Sequence, residues 1–121
     1  MNGLQIGKAI KTILDGMKNV FPLVADEGTT YPFVVYRRSA LVPSSTKDRY
    51  SYQEMASVEV IAASNSYPES ITVADEIRKK MENTRGTFSG INIGEITLTN
   101  AEEDYLEDTF IQKLNFNITI L

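Results

Sequence analysis

The sequence contains no cysteine and no histidine. The first absence excludes disulfides, thiolate nucleophiles and zinc–thiolate sites together. The second removes the usual general base, the commonest metal ligand and the only side chain whose ordinary charge change falls near neutral pH. No apolar run approaches the roughly 20 residues that a membrane-spanning helix requires. The N-terminal stretch has no basic region followed by a compact apolar one, so no secretory signal is expected. The glycosylation sequon Asn117-Ile118-Thr119 then reads as coincidence, and the expected location is the cytosol. Positive charge is scarce as well: 12 Lys and Arg stand against 16 Asp and Glu, a net charge of −4. No overall field draws such a chain to nucleic acid or to an anionic membrane.

What is present is ordinary for a globular protein. Of 121 residues, 42% are hydrophobic and 23% charged, which suits one domain spanning 1–121 with its own core. Ile6, Ile10, Ile13, Leu14 and Met17 form one stripe at helical spacing over 3–18, with Lys8, Lys11, Asp15 and Lys18 on the other side. A lysine-rich amphipathic helix could lie on a membrane, but this stripe lacks Trp and Phe, so a helix packed on a sheet is expected. Val20 to Val24 reads as a short extended piece that Pro22 confines to an edge. The turn cluster 26–30 precedes a strand at Phe33-Val34-Val35-Tyr36.

The polar segment 37–52, broken by Pro43, Ser44, Ser45 and Thr46, is expected to be a long hairpin arm or loop between two strands. Ala56, Val58, Val60 and Ala62 then alternate with polar neighbours as a half-buried strand. Ser66, Pro68 and Glu69 carry the signature of a capping box, and Ile71, Ala74, Ile77 and Met81 give the second helix its buried stripe. A strand at 91–99 and an acidic connection at 100–108 lead to the last strand. There Phe110, Leu114, Phe116, Ile118 and Ile120 share a face opposite Lys113, Asn115, Asn117 and Thr119, with Gln112 interrupting the apolar side. The predicted class is α+β: a mostly antiparallel sheet of four to five strands, two helices on one face, and a long polar hairpin arm.

No motif in this chain carries supported catalytic chemistry. Ser44-Ser45-Thr46-Lys47 matches the Ser-x-x-Lys pattern of β-lactamases, but the helical setting and the two companion motifs are missing. Glu102, Glu103, Asp104, Glu107 and Asp108 are suitable oxygen ligands, yet their spacing is not that of an EF-hand and the central Gly is absent. Arg37, Arg38, Lys47 and Arg49, close to Tyr36, Tyr50 and Tyr52, raise the possibility of a nucleic-acid surface. The negative net charge weighs for a solvated or protein-binding arm instead. The chain is therefore read as no enzyme, with no catalytic, cofactor-binding or metal site, no specific nucleic-acid binding and no membrane association.

Several stretches carry a resemblance to a known family. They are Tyr31-Pro32-Phe33-Val34-Val35-Tyr36, the polar Ser/Thr/Lys/Asp arm, and Val58-Glu59-Val60-Ile61-Ala62 followed by Ser64-Asn65-Ser66-Tyr67-Pro68-Glu69. To these are added Ile77-Arg78-Lys79-Lys80-Met81, the acidic connection and the ending Leu114-Asn115-Phe116-Asn117-Ile118. Together they resemble the short tail-completion proteins of phages and prophages, also called tail-terminator or tail-to-head joining proteins. The resemblance implies a ring, typically a hexamer, that caps the tail tube and joins it to the head. Its partners would be copies of itself, the tail-tube protein and the head connector, met in the bacterial cytoplasm during assembly and retained in the virion tail. A ring needs heterologous contacts. Arg37, Arg38, Lys47 and Arg49 against Asp48 give segment 37–49 a charge of +3, and Glu102, Glu103, Asp104, Glu107 and Asp108 give segment 102–108 a charge of −5. These two blocks are the candidate interface, unless the acids instead line the channel of the ring. The alternative reading is a small bacterial adaptor or ligand-binding module without catalysis.

Overall fold

The structure, a computed structural model, describes residues 3–17, 19–43, 54–82 and 84–121. A 3-10 turn at Gly3–Gln5 opens into helix α1, Ile6–Ile13. Strands β1 (Val20–Pro22), β2 (Phe33–Pro43) and β3 (Glu54–Ser64) follow. Helix α2 (Tyr67–Glu82) then precedes β4 (Gly86–Phe88), β5 (Ile91–Leu106) and β6 (Thr109–Ile120). The strands make one sheet in the order β1-β2-β3-β6-β5-β4.

That sheet corrects the expected count and type: among the described residues it has six strands and is mixed, because β1 runs parallel to β2 while every other pair is antiparallel. β4, between α2 and the strand expected at 91–99, was not expected, and its three residues are too few for any alternation to show. Both helices pack on one face, as expected. Ile6, Ile10, Ile13 and Leu14 from α1 join Ala74, Ile77 and Met81 from α2 in a single core with Val34, Val58, Phe116, Ile118 and Ile120. Each of the larger side chains among them, Ala74 excepted, contributes roughly 1.5–3 kcal/mol. Ser70 takes the buried place expected of Ile71, since it lies one turn before Ala74 at the exact register of the stripe.

Two polar segments read as loops are strands. β2 continues through Arg37 and Arg38 to Pro43, with one bulge between Arg38 and Ala40, so the arm expected at 37–52 is shortened; its remainder, 44–52, lies outside the described residues. The acidic connection is the second half of β5, which pairs with β6 as far as Leu106 opposite Thr109. Both segments lie at the margins of the sheet, where a strand keeps its pairing on one side and needs no apolar alternation. Glu107 and Asp108 alone make the turn, both at positive φ (51° and 62°), the pattern of a type I′ hairpin. The expected capping box is also rearranged: Ser64 Oγ accepts from the Ser66 amide and donates to Glu69 Oε1 at 2.6 Å.

Candidate assembly surfaces

The strand pairings give the sheet two free edges, at diagonally opposite corners. β2 and β6 run one way, β3 and β5 the other. β1 covers only the start of β2, with Val20 to Pro22 beside Val34 to Tyr36, and Leu23 donates its amide to the Tyr36 carbonyl at 2.8 Å. Beyond that point, residues 37–43 pair only with β3 among the described residues. At the opposite margin β4 covers only Ile91 to Ile93, and residues 94–106 of β5 pair only with β6 among the described residues. The exposed part of β2 is its C-terminal end, and so is that of β5, whose direction is reversed. A free strand edge presents unpaired amides and carbonyls to whatever approaches it.

The β2 corner is basic and apolar. Arg37 Nε lies 3.6 Å from Glu59 Oε1 on β3, and Arg38 donates to the Leu4 carbonyl at 3.0 Å. The second bond ties the 3-10 turn to the free edge. Between α1 and this edge runs an open groove of about 600 Å³ lined by Leu4, Gly7, Lys8, Lys11, Pro22 and Tyr36. A second depression of about 230 Å³ shares Leu4, Gly7, Pro22 and Tyr36 and extends to Leu23, Arg37 and Arg38. Leu4, Leu23 and Val24 are 70–73% exposed here. Burial among apolar neighbours pushes the Tyr36 phenol up from its ordinary value.

The β5 corner is acidic and aromatic. Alternation divides its carboxylates: Glu102 and Asp104 lie across from Lys113 and Ile111 on the helix-free face, while Glu103 shares the helix side. The Glu103 carboxylate accepts from Gln112 Nε2 at 3.1 Å and from the Tyr67 hydroxyl at 2.9 Å. Those two bonds, Gln112 first, hold its carboxyl below the ordinary range, and the Glu103 carboxylate in turn raises the Tyr67 phenol. Gln112, which breaks the apolar face of β6, thus serves the carboxylate and also approaches Ser70 Oγ at 3.4 Å. Phe110 packs against Tyr105 and Tyr67, with ring centroids 4.8 and 5.7 Å apart. At the tip the Tyr105 hydroxyl donates to Asp108 at 3.0 Å, which raises its own pKa, and Leu106 stands 61% exposed.

Among the described residues the two predicted charge blocks therefore do not meet within the subunit. Arg37 and Arg38 lie at one free edge, and Glu102, Glu103, Asp104, Glu107 and Asp108 at the other. Lys47 and Arg49, with Ser44 and the Ser-x-x-Lys pattern, lie outside the described residues. The apolar members of both corners, Leu4, Leu23 and Val24 against Tyr105 and Leu106, were missed. The pair Tyr105-Leu106 inside an acidic run was the one visible signal. Among the described residues no three carboxylates gather as a metal would require, and no helix is long and apolar enough to cross a membrane.

No family model and no curated protein matches this chain. Among solved structures it is similar to a chain from the virion of a native gene transfer agent (GTA) particle, with a TM-score of 0.72 at 10% sequence identity. The likeness covers 98% of this chain and 88% of that one. At such identity it is a likeness of fold.

Proposed function

We propose that this protein is a structural assembly subunit of a phage or prophage tail, forming a ring that caps the tail tube and joins it to the head. The observation that carries this reading is the shared fold with a virion chain over nearly the whole length. The two chemically opposite free edges support it, because a ring is built from one surface meeting a different surface on the next copy. On this reading the protein is not an enzyme, and the absence of cysteine and histidine leaves it few means to be one. The ring, typically of six copies, assembles in the bacterial cytoplasm, where it meets the tail-tube protein and the head connector and stays with them in the virion tail. Native mass spectrometry with negative-stain imaging of the purified protein tests the reading. A closed ring of about six copies is the expected result. A monomer or dimer at every concentration would favour an adaptor or ligand-binding module, for which the open groove beside α1 would be the site.

A further inference from the structure

We infer that copies of this chain join by main-chain strand pairing, the free edge of β5 on one copy adding to the free edge of β2 on the next, with the hairpin tip seated in the groove beside α1. This deepens the ring reading and rests on it. The strand directions allow the contact: a second copy set beside the first brings its β2 antiparallel to β5 and keeps both helices on the same face of the joined sheet. The covers also fit. β1 blocks the start of β2 and β4 blocks the start of β5, so the two free segments, 37–43 and 94–106, meet only if the neighbour is shifted along the strands. A constant shift of that kind is what tilted strands give when a sheet closes on itself.

Side chains agree with the backbone. In antiparallel pairing the end of β5 lies opposite the beginning of the free part of β2, so Tyr105 and Leu106 arrive at Arg37 and Arg38. Glu103 and Tyr105 project to the helix side, the side on which Leu4, Tyr36 and Arg38 line the groove. Exposed apolar residues thus meet exposed apolar residues, and carboxylates meet guanidinium groups. A copy of β5 placed against another β5 would instead set Glu102, Glu103 and Asp104 against their own kind, so the acids select the head-to-tail partner. Acids placed only to keep the edge free would need no apolar groove of opposite charge at the other corner.

Because the chain lacks cysteine, introduced pairs report this contact without background. Ala40, opposite Ser57, shares the helix-free face with Glu102 and Asp104, whereas Ala101, opposite Leu114, does not. Ala40→Cys combined with Glu102→Cys, or with Asp104→Cys, is expected to give on mild oxidation a ladder of covalent oligomers ending at the copy number of the ring. Ala40→Cys with Ala101→Cys should give none, and each single variant at most a dimer. Native mass spectra of the same unoxidised samples separate the two levels of the proposal. A ring without a ladder overturns strand pairing and leaves the ring reading standing; no oligomer at any concentration overturns both. Equal ladders from all three pairs would mean chance collision and also overturn the pairing. Leu4→Arg, at an exposed residue that lines the groove, tests the seated tip, with at least about tenfold more protein needed for half-assembly; unchanged assembly would remove the groove from the contact.

Discussion

Glu103 is the acid whose charge is most tied to its surroundings, held by Gln112 and Tyr67. Its carboxyl lies below the ordinary value of 4.5, so its bonds favour the folded state above that value and are lost as pH falls through the folded pKa. Glu103→Gln should therefore lower the melting temperature at neutral pH, and the gap to the parent should close on acidification. Thermal melts from about pH 7 to about pH 3 measure this; a gap independent of pH would assign the loss to shape rather than charge. The core sets the contrast in scale. Phe116 is 1% exposed at the centre of β6, in the core shared by the sheet and the helices. Phe116→Ala should cost about 3–5 kcal/mol in denaturant unfolding, because the cavity adds to the lost burial.

Among the elements, the β5–β6 hairpin is the least expected, since its turn consists of two acidic residues in the left-handed region. Asp visits that region readily; Glu does so at a cost of roughly 1–2 kcal/mol. Glu107→Asn should relieve about 1 kcal/mol while keeping the Tyr105–Asp108 bond, and it should raise the denaturation midpoint without changing the slope. The strand below the turn also explains where sequence legibility ended. Ile6, Ile10, Ile13, Ala74, Ile77 and the alternating residues of β3 and β6 announced themselves, because each faces the core on one side and water on the other. Arg37 and Arg38 on β2 and Glu102 to Asp104 on β5 carried no such contrast: a free edge solvates both polar backbone and polar side chains, so its composition resembles a loop. The candidate charges were legible for the same reason that their strands were not. The groove was not, because it joins Leu4, Leu23 and Tyr36 from three separate segments.

At the scale of the whole molecule, the surface charge has a direction. One corner of the sheet is basic, the diagonal corner is acidic, and the net charge of −4 hides the difference. In the proposed assembly, opposite fields at the two edges would guide orientation and speed encounter, while the apolar tip and groove would supply most of the affinity. Charge reversal tests this only where the residue has no structural duty. Arg37 already faces Glu59, and Glu103 already holds Tyr67 and Gln112, so reversing either would disturb the subunit itself. Arg38 and Asp104, on opposite faces of the sheet, are the better pair for testing the field: the Arg38 bond to the Leu4 carbonyl is exposed, and among the described residues Asp104 bonds only the adjacent Tyr105 amide. Arg38→Glu should weaken the oligomer, more so at low salt, where screening over about 10 Å is least complete. Asp104→Lys in the same chain should restore part of the loss. Both effects are read by sedimentation velocity at low and moderate ionic strength. If Arg38→Glu leaves assembly unchanged at both, the acidic strand does not face the basic edge of a neighbour. The carboxylates of β5 would then be left to line the channel of the proposed ring, where negative charge would keep passing DNA from adhering.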